Sequence, residues 1–230
     1  MSENDVRSVI TERRVAPSVL NADYSRLGEM VADVMEAGAR VIHVDVMDGH
    51  FVPPISVGPP IVAALNEQVH EAGGILDVHL MIDRPQDHVQ EFAEAGADIV
   101  TIHFEATPHI NFALNAIHEA GALAGLAINP STPAEAIVEV ADDIDVALCM
   151  TVNPGWGGQK FIEASVGKVE RLKALLPAGT PIEVDGGVNA ESAGPCAEAG
   201  ANLFVAGSSV MGSDDPPGSY REIAEAAGAA

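Results

Sequence analysis

Residues 36–47 read EAGARVIHVDVM, and this stretch decides the architecture because its parts recur along the chain. An amphipathic run ends at a glycine, the residue that best tolerates the positive φ of a helix C-terminus, and a short β-branched apolar run follows. The same joint recurs where Glu94-Ala95-Gly96-Ala97 precedes DIVTIHF, where Glu119-Ala120-Gly121-Ala122 precedes LAGLAI, and where Ala199-Gly200-Ala201 precedes NLFVAG. Repeated helix-to-strand joints mark βα units, and apolar runs without strict alternation suit a parallel sheet covered on both faces. The strand candidates are VAPSVL, VIHVDVM, ILDVHLM, DIVTIHF, LAGLAI, DVALCMTV, PIEVDGG and NLFVAGS. Eight strands are what a closed (β/α)8 TIM barrel requires. An open doubly wound sheet would carry an early Gly-x-Gly-x-x-Gly, and none follows the first strand. Thr132-Pro133-Ala134-Glu135 reads as a capping box with proline at the first helical position, starting a helix just after LAGLAI. The expectation is a single barrel domain over residues 1–230, with residues 1–13 and about 225–230 as loose termini.

Composition narrows the function. The chain of 230 residues is 47% hydrophobic, enough for a substantial core, yet no stretch approaches the roughly 18 apolar residues of a membrane helix. The N-terminal MSENDVRSVITERR lacks the apolar run of a secretory signal, so a cytoplasmic location is expected. Cys149 and Cys196 are too few for a disulfide framework or a cysteine-based zinc site and read as reduced packing residues. A formal charge of −23 repels nucleic acid and anionic lipid, so neither is an expected partner. An anionic substrate must then be held by local groups against the field of the whole molecule.

Polar residues stand inside strands that otherwise read as core. His43, Asp45 and Met47 are spaced i, i+2, i+4 and share one side of a strand. Asp77, His79 and Met81 do the same, as do Glu183 and Asp185. Carboxylates converging inside a barrel need a cation or a dense hydrogen-bond network. A single buried histidine is ordinarily a hydrogen-bonded core residue; two of them paired with carboxylates point to a metal. His43, Asp45, His79 and Asp185 make a mixed nitrogen and oxygen set suited to one divalent ion, zinc, iron, manganese or cobalt. His103 and Glu105 form a similar pair, either supporting these ligands or competing with them. Met47, Met81 and Met150 either line the metal pocket or fill core.

Glycines mark successive strand ends: Gly155-Trp156-Gly157-Gly158 after the sixth strand, Gly186-Gly187 after the seventh, and Gly207-Ser208-Ser209 after the eighth. Glycine lets backbone N–H groups approach an anion closely, and the loops after strands seven and eight are a frequent phosphate site in such barrels. A phosphorylated small molecule is the expected substrate.

The segments PSVLNADY, HVDVMDGHFVPPISVGP, DVHLMI, MTVNPGWGGQKF, EVDGGV and AGSSVM resemble the signature segments of the ribulose-phosphate 3-epimerase family from about Ala16 to Met211. The resemblance implies interconversion of D-ribulose 5-phosphate and D-xylulose 5-phosphate through an enediolate in the pentose phosphate pathway. It implies that His43, Asp45, His79 and Asp185 hold the metal, with Asp45 as proton acceptor and Asp185 as donor. By the same likeness Ser18 and His79 contact substrate, and Gly155, Trp156, Gly157, Gly158, Asp185, Gly186, Gly187, Gly207 and Ser208 hold its phosphate end. A homo-oligomer is the expected assembly. Trp156 stands where the family more often has phenylalanine or tyrosine, and Leu80 where methionine is sometimes found; both changes conserve shape.

A Schiff-base aldolase or a triose isomerase would need a lysine at a strand end. Lys160, Lys168 and Lys173 all follow the sixth strand and none lies in an apolar strand. The nearer rival is an epimerase of a six-carbon ketose phosphate such as allulose 6-phosphate. A non-catalytic phosphate-binding barrel would have no use for two acid/base groups.

Overall fold

A computed structural model describes residues 2–229. The elements are α1 (Glu3–Thr11), β1 (Arg14–Pro17), α2 (Leu27–Glu36), β2 (Val41–Met47), α3 (Pro59–Glu71), β3 (Ile75–Met81), α4 (Val89–Ala95), β4 (Ile99–His103), α5 (Ile110–Glu119), β5 (Leu123–Ile128), β6 (Val146–Met150), α6 (Ser165–Leu175), β7 (Ile182–Asp185), α7 (Ala190–Ala199), β8 (Leu203–Ala206) and α8 (Pro216–Ala227). The eight strands form one parallel sheet in the order β1-β8-β7-β6-β5-β4-β3-β2. A parallel bridge between Ser18 and His43 carries β1 round to β2, so the sheet is a nearly closed, single (β/α)8 TIM barrel.

Strand alternation sorts the residues into two environments. Ile42, Val44, Leu76, Val78 and Val100 point outward into the large cluster shared with the helices. The opposite set points down the barrel axis in layers. Its floor is apolar: Val41, Ile75, Ile99, Leu123, Val146 and Leu203 pack together. Above the floor, His43 lies in register with Asp77, and one step higher Asp45 lies in register with His79. Across the barrel Glu183 and Asp185 pair with Leu148 and Met150. Strands β2, β3 and β4 thus climb from an apolar floor to polar residues, Thr101 and His103 completing β4. At the floor the strands are pinned in pairs. Asp98, just before β4, accepts the Leu76 N–H of β3; Asp145, before β6, accepts that of Ala124 in β5; Asn202, before β8, accepts that of Ile182 in β7.

Two sequence expectations fail here. Residues 3–11 are not a loose arm but helix α1, started by a reciprocal Ser2–Asp5 capping box. Val6 and Ile10 lie one turn apart and join the apolar floor, closing the barrel from below. At the other end α8 continues to Ala227, whose carbonyl accepts from the Arg13 guanidinium. Residues 1 and 230 lie outside the described residues. The segment after β5 is a 3-10 helix (Ala134–Asp143) rather than an α-helix, and Pro133 occupies the cap without a side-chain hydrogen bond. The Thr132 hydroxyl, expected to cap it, donates to Glu105 instead.

Candidate active site

The strand ends of β1, β2, β3, β6, β7 and β8 surround an open cleft of about 500 Å3. Ser18, Asp45, Gly155, Trp156, Gly157, Gly158, Asp185, Gly186, Gly187, Gly207 and Ser208 line it, with Met47, Met81 and Met150 among the apolar lining. His43 and His79 lie beneath that lining, both fully buried. Among the described residues, no lysine or arginine lines the cleft. Lys168 is buried on the helix side of the barrel, where its ammonium donates to the carbonyls of Asn129, Pro130 and Thr132.

At the bottom of the cleft His43, Asp45, His79 and Asp185 each offer a ligand-type atom, all within 4.8 Å of one another. The Asp45 oxygens divide their work. Oδ1 faces His43 Nε2 at 3.3 Å and His79 Nδ1 at 3.2 Å. Oδ2 accepts a 2.5 Å hydrogen bond from the Ser18 hydroxyl at the cleft wall. His79 Nδ1 also lies 3.5 Å from Asp185 Oδ2, so this imidazole stands between the two carboxylates. Thr151 holds the end of β7 in place, its N–H donating to the Asp185 carbonyl at 2.7 Å and its hydroxyl to the Gly186 carbonyl at 2.5 Å.

Each imidazole is oriented from behind. His43 Nδ1 meets Asp77 Oδ2 at 2.6 Å, which turns Nε2 toward Asp45. His79 Nε2 meets His103 Nε2 at 2.8 Å, which turns Nδ1 toward both site carboxylates. Burial opposes a charge on His43, but Asp77 and Asp45 outweigh it and raise its pKa well above 6.5. Burial likewise opposes a charge on His79, and Asp185 and Asp45 carry it up to about 9. Asp45 is pushed up by burial, yet the nearby charges of His43 and His79 hold it well below the usual carboxylate range. Below the site, burial and the neighbouring Asp77 push Glu183 up to about 8, where a carboxylic acid stays protonated at neutral pH.

These residues fit a divalent cation. The carboxylates draw both imidazoles toward their protonated forms, so the cluster calls for two positive charges. A dication supplies the same charge and takes the nitrogen lone pairs instead. His43 Nε2 is buried and makes no well-aligned hydrogen bond, as a nitrogen placed for ligation would be.

The glycine loops are shaped for close approach. Gly186 and Gly187 have φ of 118° and 66°, and a Cβ would fall 2.3 Å from Val152 Cγ2 and 2.8 Å from the Gln159 carbonyl respectively.

Residues 14–211 match the Ribulose-phosphate 3 epimerase family. The chain belongs to that family. It is 49% identical to the ribulose-phosphate 3-epimerase of Bacillus subtilis over 214 residues, 91% of this chain and 97% of that protein. It is 43% identical to the Escherichia coli K12 ribulose-phosphate 3-epimerase over 204 residues, 87% of this chain and 90% of the other. The chloroplastic ribulose-5-phosphate-3-epimerase of Arabidopsis thaliana is 48% identical over 206 residues, 87% of this chain and 72% of the plant protein. Among solved structures, KGPDC from Streptococcus mutans superposes with a TM-score of 0.72 at 17% identity, covering 94% of this chain and 98% of that one. Orotidine 5'-phosphate decarboxylase from Pyrococcus horikoshii gives 0.68 at 14% identity, covering 94% and 100%. At such identities these two describe the barrel alone.

Among the cleft residues of this epimerase-family barrel that escaped the sequence reading, Asn21 is the one wedged between two glycine loops. Asn21, just after β1, lines the cleft, and its side-chain oxygen lies where a Cβ on either Gly157 or Gly207 would come within 2.7 Å. It bridges the loops after β6 and β8. An asparagine just past a strand reads as a turn residue, and only the closure of β8 against β1 reveals its position. Among the described residues, no helix is long and apolar enough to cross a membrane.

Proposed function

We propose that this chain epimerises C3 of a ketose phosphate, interconverting D-ribulose 5-phosphate and D-xylulose 5-phosphate in the pentose phosphate pathway. The observation that carries the reading is the pair of carboxylates, Asp45 on β2 and Asp185 on β7, both reaching the cleft floor with His79 Nδ1 between them at 3.2 and 3.5 Å. A base on one face and an acid on the other invert a carbon beside a carbonyl most directly. Asp45 is the acceptor. Its charge is held by His43 and His79 at Oδ1, and Oδ2, which accepts from the Ser18 hydroxyl at the cleft wall, is the oxygen left to take the C3 proton. Asp185 returns a proton to the opposite face.

His43, Asp45, His79 and Asp185 would hold one divalent ion, zinc, iron, manganese or cobalt. When bound, it supplies Lewis-acid stabilisation of the negative charge that develops on the substrate oxygens. Met47, Met81 and Met150 keep the reacting carbon in apolar surroundings, which strengthens each charge interaction at the floor. Gly155, Trp156, Gly157 and Gly158, with Gly186, Gly187, Gly207 and Ser208, take the phosphate through backbone N–H groups, which suits a cleft without lysine or arginine. Cytoplasmic location and homo-oligomeric assembly belong to the same proposal.

The test is turnover of ribulose 5-phosphate and of allulose 6-phosphate, before and after prolonged chelation. The reading requires faster turnover of the five-carbon substrate, loss of activity on chelation, and recovery with one divalent ion per chain. Full activity in protein shown metal-free by elemental analysis, or preference for the six-carbon substrate, would overturn the corresponding part.

A further inference from the structure

A chain of hydrogen bonds runs from the loop after β5 to the buried imidazole of His79. Glu105 Oε1 accepts the Asn129 N–H at 2.9 Å and the Thr132 hydroxyl. Lys168 fixes that loop by donating to three of its carbonyls at 2.7 to 2.8 Å. Glu105 Oε2 lies 3.3 Å from His103 Nδ1, and His103 Nε2 lies 2.8 Å from His79 Nε2. The His79 and His103 ring centroids are 4.9 Å apart with planes inclined by 23°. That separation is close to the longest a 2.8 Å nitrogen contact between two such rings permits, so they meet edge to edge.

We propose that Glu105 is a positioning residue that sets the tautomer of His103, and through it presents a lone pair rather than an N–H at Nδ1 of His79. The logic is one of parity. A neutral imidazole has one N–H and one lone pair, and two nitrogens 2.8 Å apart share a single hydrogen. A carboxylate oxygen can only accept, so His103 carries its hydrogen on Nδ1 and leaves Nε2 as an acceptor. His79 must then donate from Nε2, so Nδ1 is the nitrogen that can exchange its proton for a cation held with Asp45 and Asp185. The proposal rests on the metal reading of that cluster, and it assigns the direction in which the supporting hydrogen bonds run.

Glu105→Gln should reverse the whole chain. The Asn129 N–H and the Thr132 hydroxyl keep the amide oxygen at the Oε1 position, which leaves the amide NH2 facing His103 Nδ1. That nitrogen becomes the acceptor, Nε2 gains the hydrogen, and His79 Nε2 must accept it. The remaining hydrogen on His79 then sits on Nδ1, where the cation should bind.

Two measurements test this. Long-range 1H–15N correlation spectra of 15N-histidine protein, with His103 assigned by its loss in His103→Asn, should show the Nδ1–H tautomer of His103 in both the metal-free and the Zn2+-loaded wild type. They should show the Nε2–H tautomer in Glu105→Gln. Titration of metal-free protein with Co2+ should give an affinity lower by about 10- to 100-fold in Glu105→Gln, the usual effect of disturbing a ligand's supporting partner. An Nε2–H tautomer for His103 in the wild type overturns the proposal whether or not the variant folds. So does a folded Glu105→Gln protein whose Co2+ affinity stays within about threefold of wild type. If the wild type binds no Co2+, or binds it equally well as His79→Ala, the metal reading itself has failed, and the His103 spectrum still tells the two failures apart.

Discussion

Replacing Gly207 by alanine isolates the phosphate end of the proposed site with little disturbance elsewhere. Gly207 does not hold a left-handed conformation, so the backbone tolerates a side chain there. The added Cβ would lie 2.7 Å from Asn21 Oδ1, about 0.7 Å inside ordinary contact, and 3.6 Å from Ser18 Cβ, which is ordinary. Either Asn21 or the β8 loop must move, and with the loop the amides proposed to hold the phosphate. A hydrogen bond to a charged group contributes about 1.5–3 kcal/mol. Losing one such amide contact should raise KM for ribulose 5-phosphate by about 10- to 150-fold, with a smaller change in kcat. In an Asn21→Ala background the clash disappears, so Gly207→Ala should then cost less than about threefold relative to Asn21→Ala alone. Steady-state kinetics on the four proteins of this cycle, with urea titrations to confirm folding, measure the effect. A folded Gly207→Ala enzyme with unchanged KM would refute phosphate binding at this loop. An equal loss in the Asn21→Ala background would refute the steric route.

Ile10→Ala should cost about 2–5 kcal/mol in urea denaturation, because this side chain helps to close the barrel floor; no loss would mean that α1 is dispensable. Asp145 accepts from Arg7, His118 and the Ala124 N–H at 2.7 to 2.8 Å, so Asp145→Asn should destabilise by about 1–3 kcal/mol at pH 7. Burial opposes the Asp145 charge, but these three donors outweigh it and hold the carboxyl below its ordinary 3.8. Its contribution is therefore complete above the unfolded value and lost as pH falls through the folded one. The wild-type advantage over Asp145→Asn should shrink on acidification below about pH 4, and a difference constant from pH 7 to pH 3 would contradict this.

Strands β2, β3 and β5 were legible to the residue, because each apolar run is bracketed by a helix-ending glycine below and a loop above. The polar ends of the other runs, such as Asp98, Asp145 and Asn202, lie outside the sheet because their side chains accept N–H groups from the neighbouring strand. Helix α1 was illegible for a different reason. ENDVRSVIT offers Val6 and Ile10 alone as buried apolar residues, and only a barrel floor gives them something to cover. Thr132-Pro133-Ala134-Glu135 has the local pattern of a helix start, but a carboxylate from a distant strand end takes the threonine hydroxyl. Within the site, strand periodicity placed His43 with Asp45, and Asp77 with His79, on one side each. Which strands face each other, and therefore that His79 stands between Asp45 and Asp185, depends on closure of the barrel and cannot be read from spacing.

The most direct test of the two-carboxylate account is the fate of the C3 hydrogen during a single conversion in heavy water. Asp45 and Asp185 approach the cleft from β2 and β7, so the hydrogen removed on one face stays with its carboxylate while the other delivers one acquired from solvent. Product isolated at low conversion should carry deuterium at C3. In Asp185→Asn, epimerisation should fall by at least about 100- to 10,000-fold, while slow C3 exchange without inversion persists through Asp45. Early product that retains most of its original C3 hydrogen would mean that one base serves both faces, and the assignment of the two aspartates would be wrong.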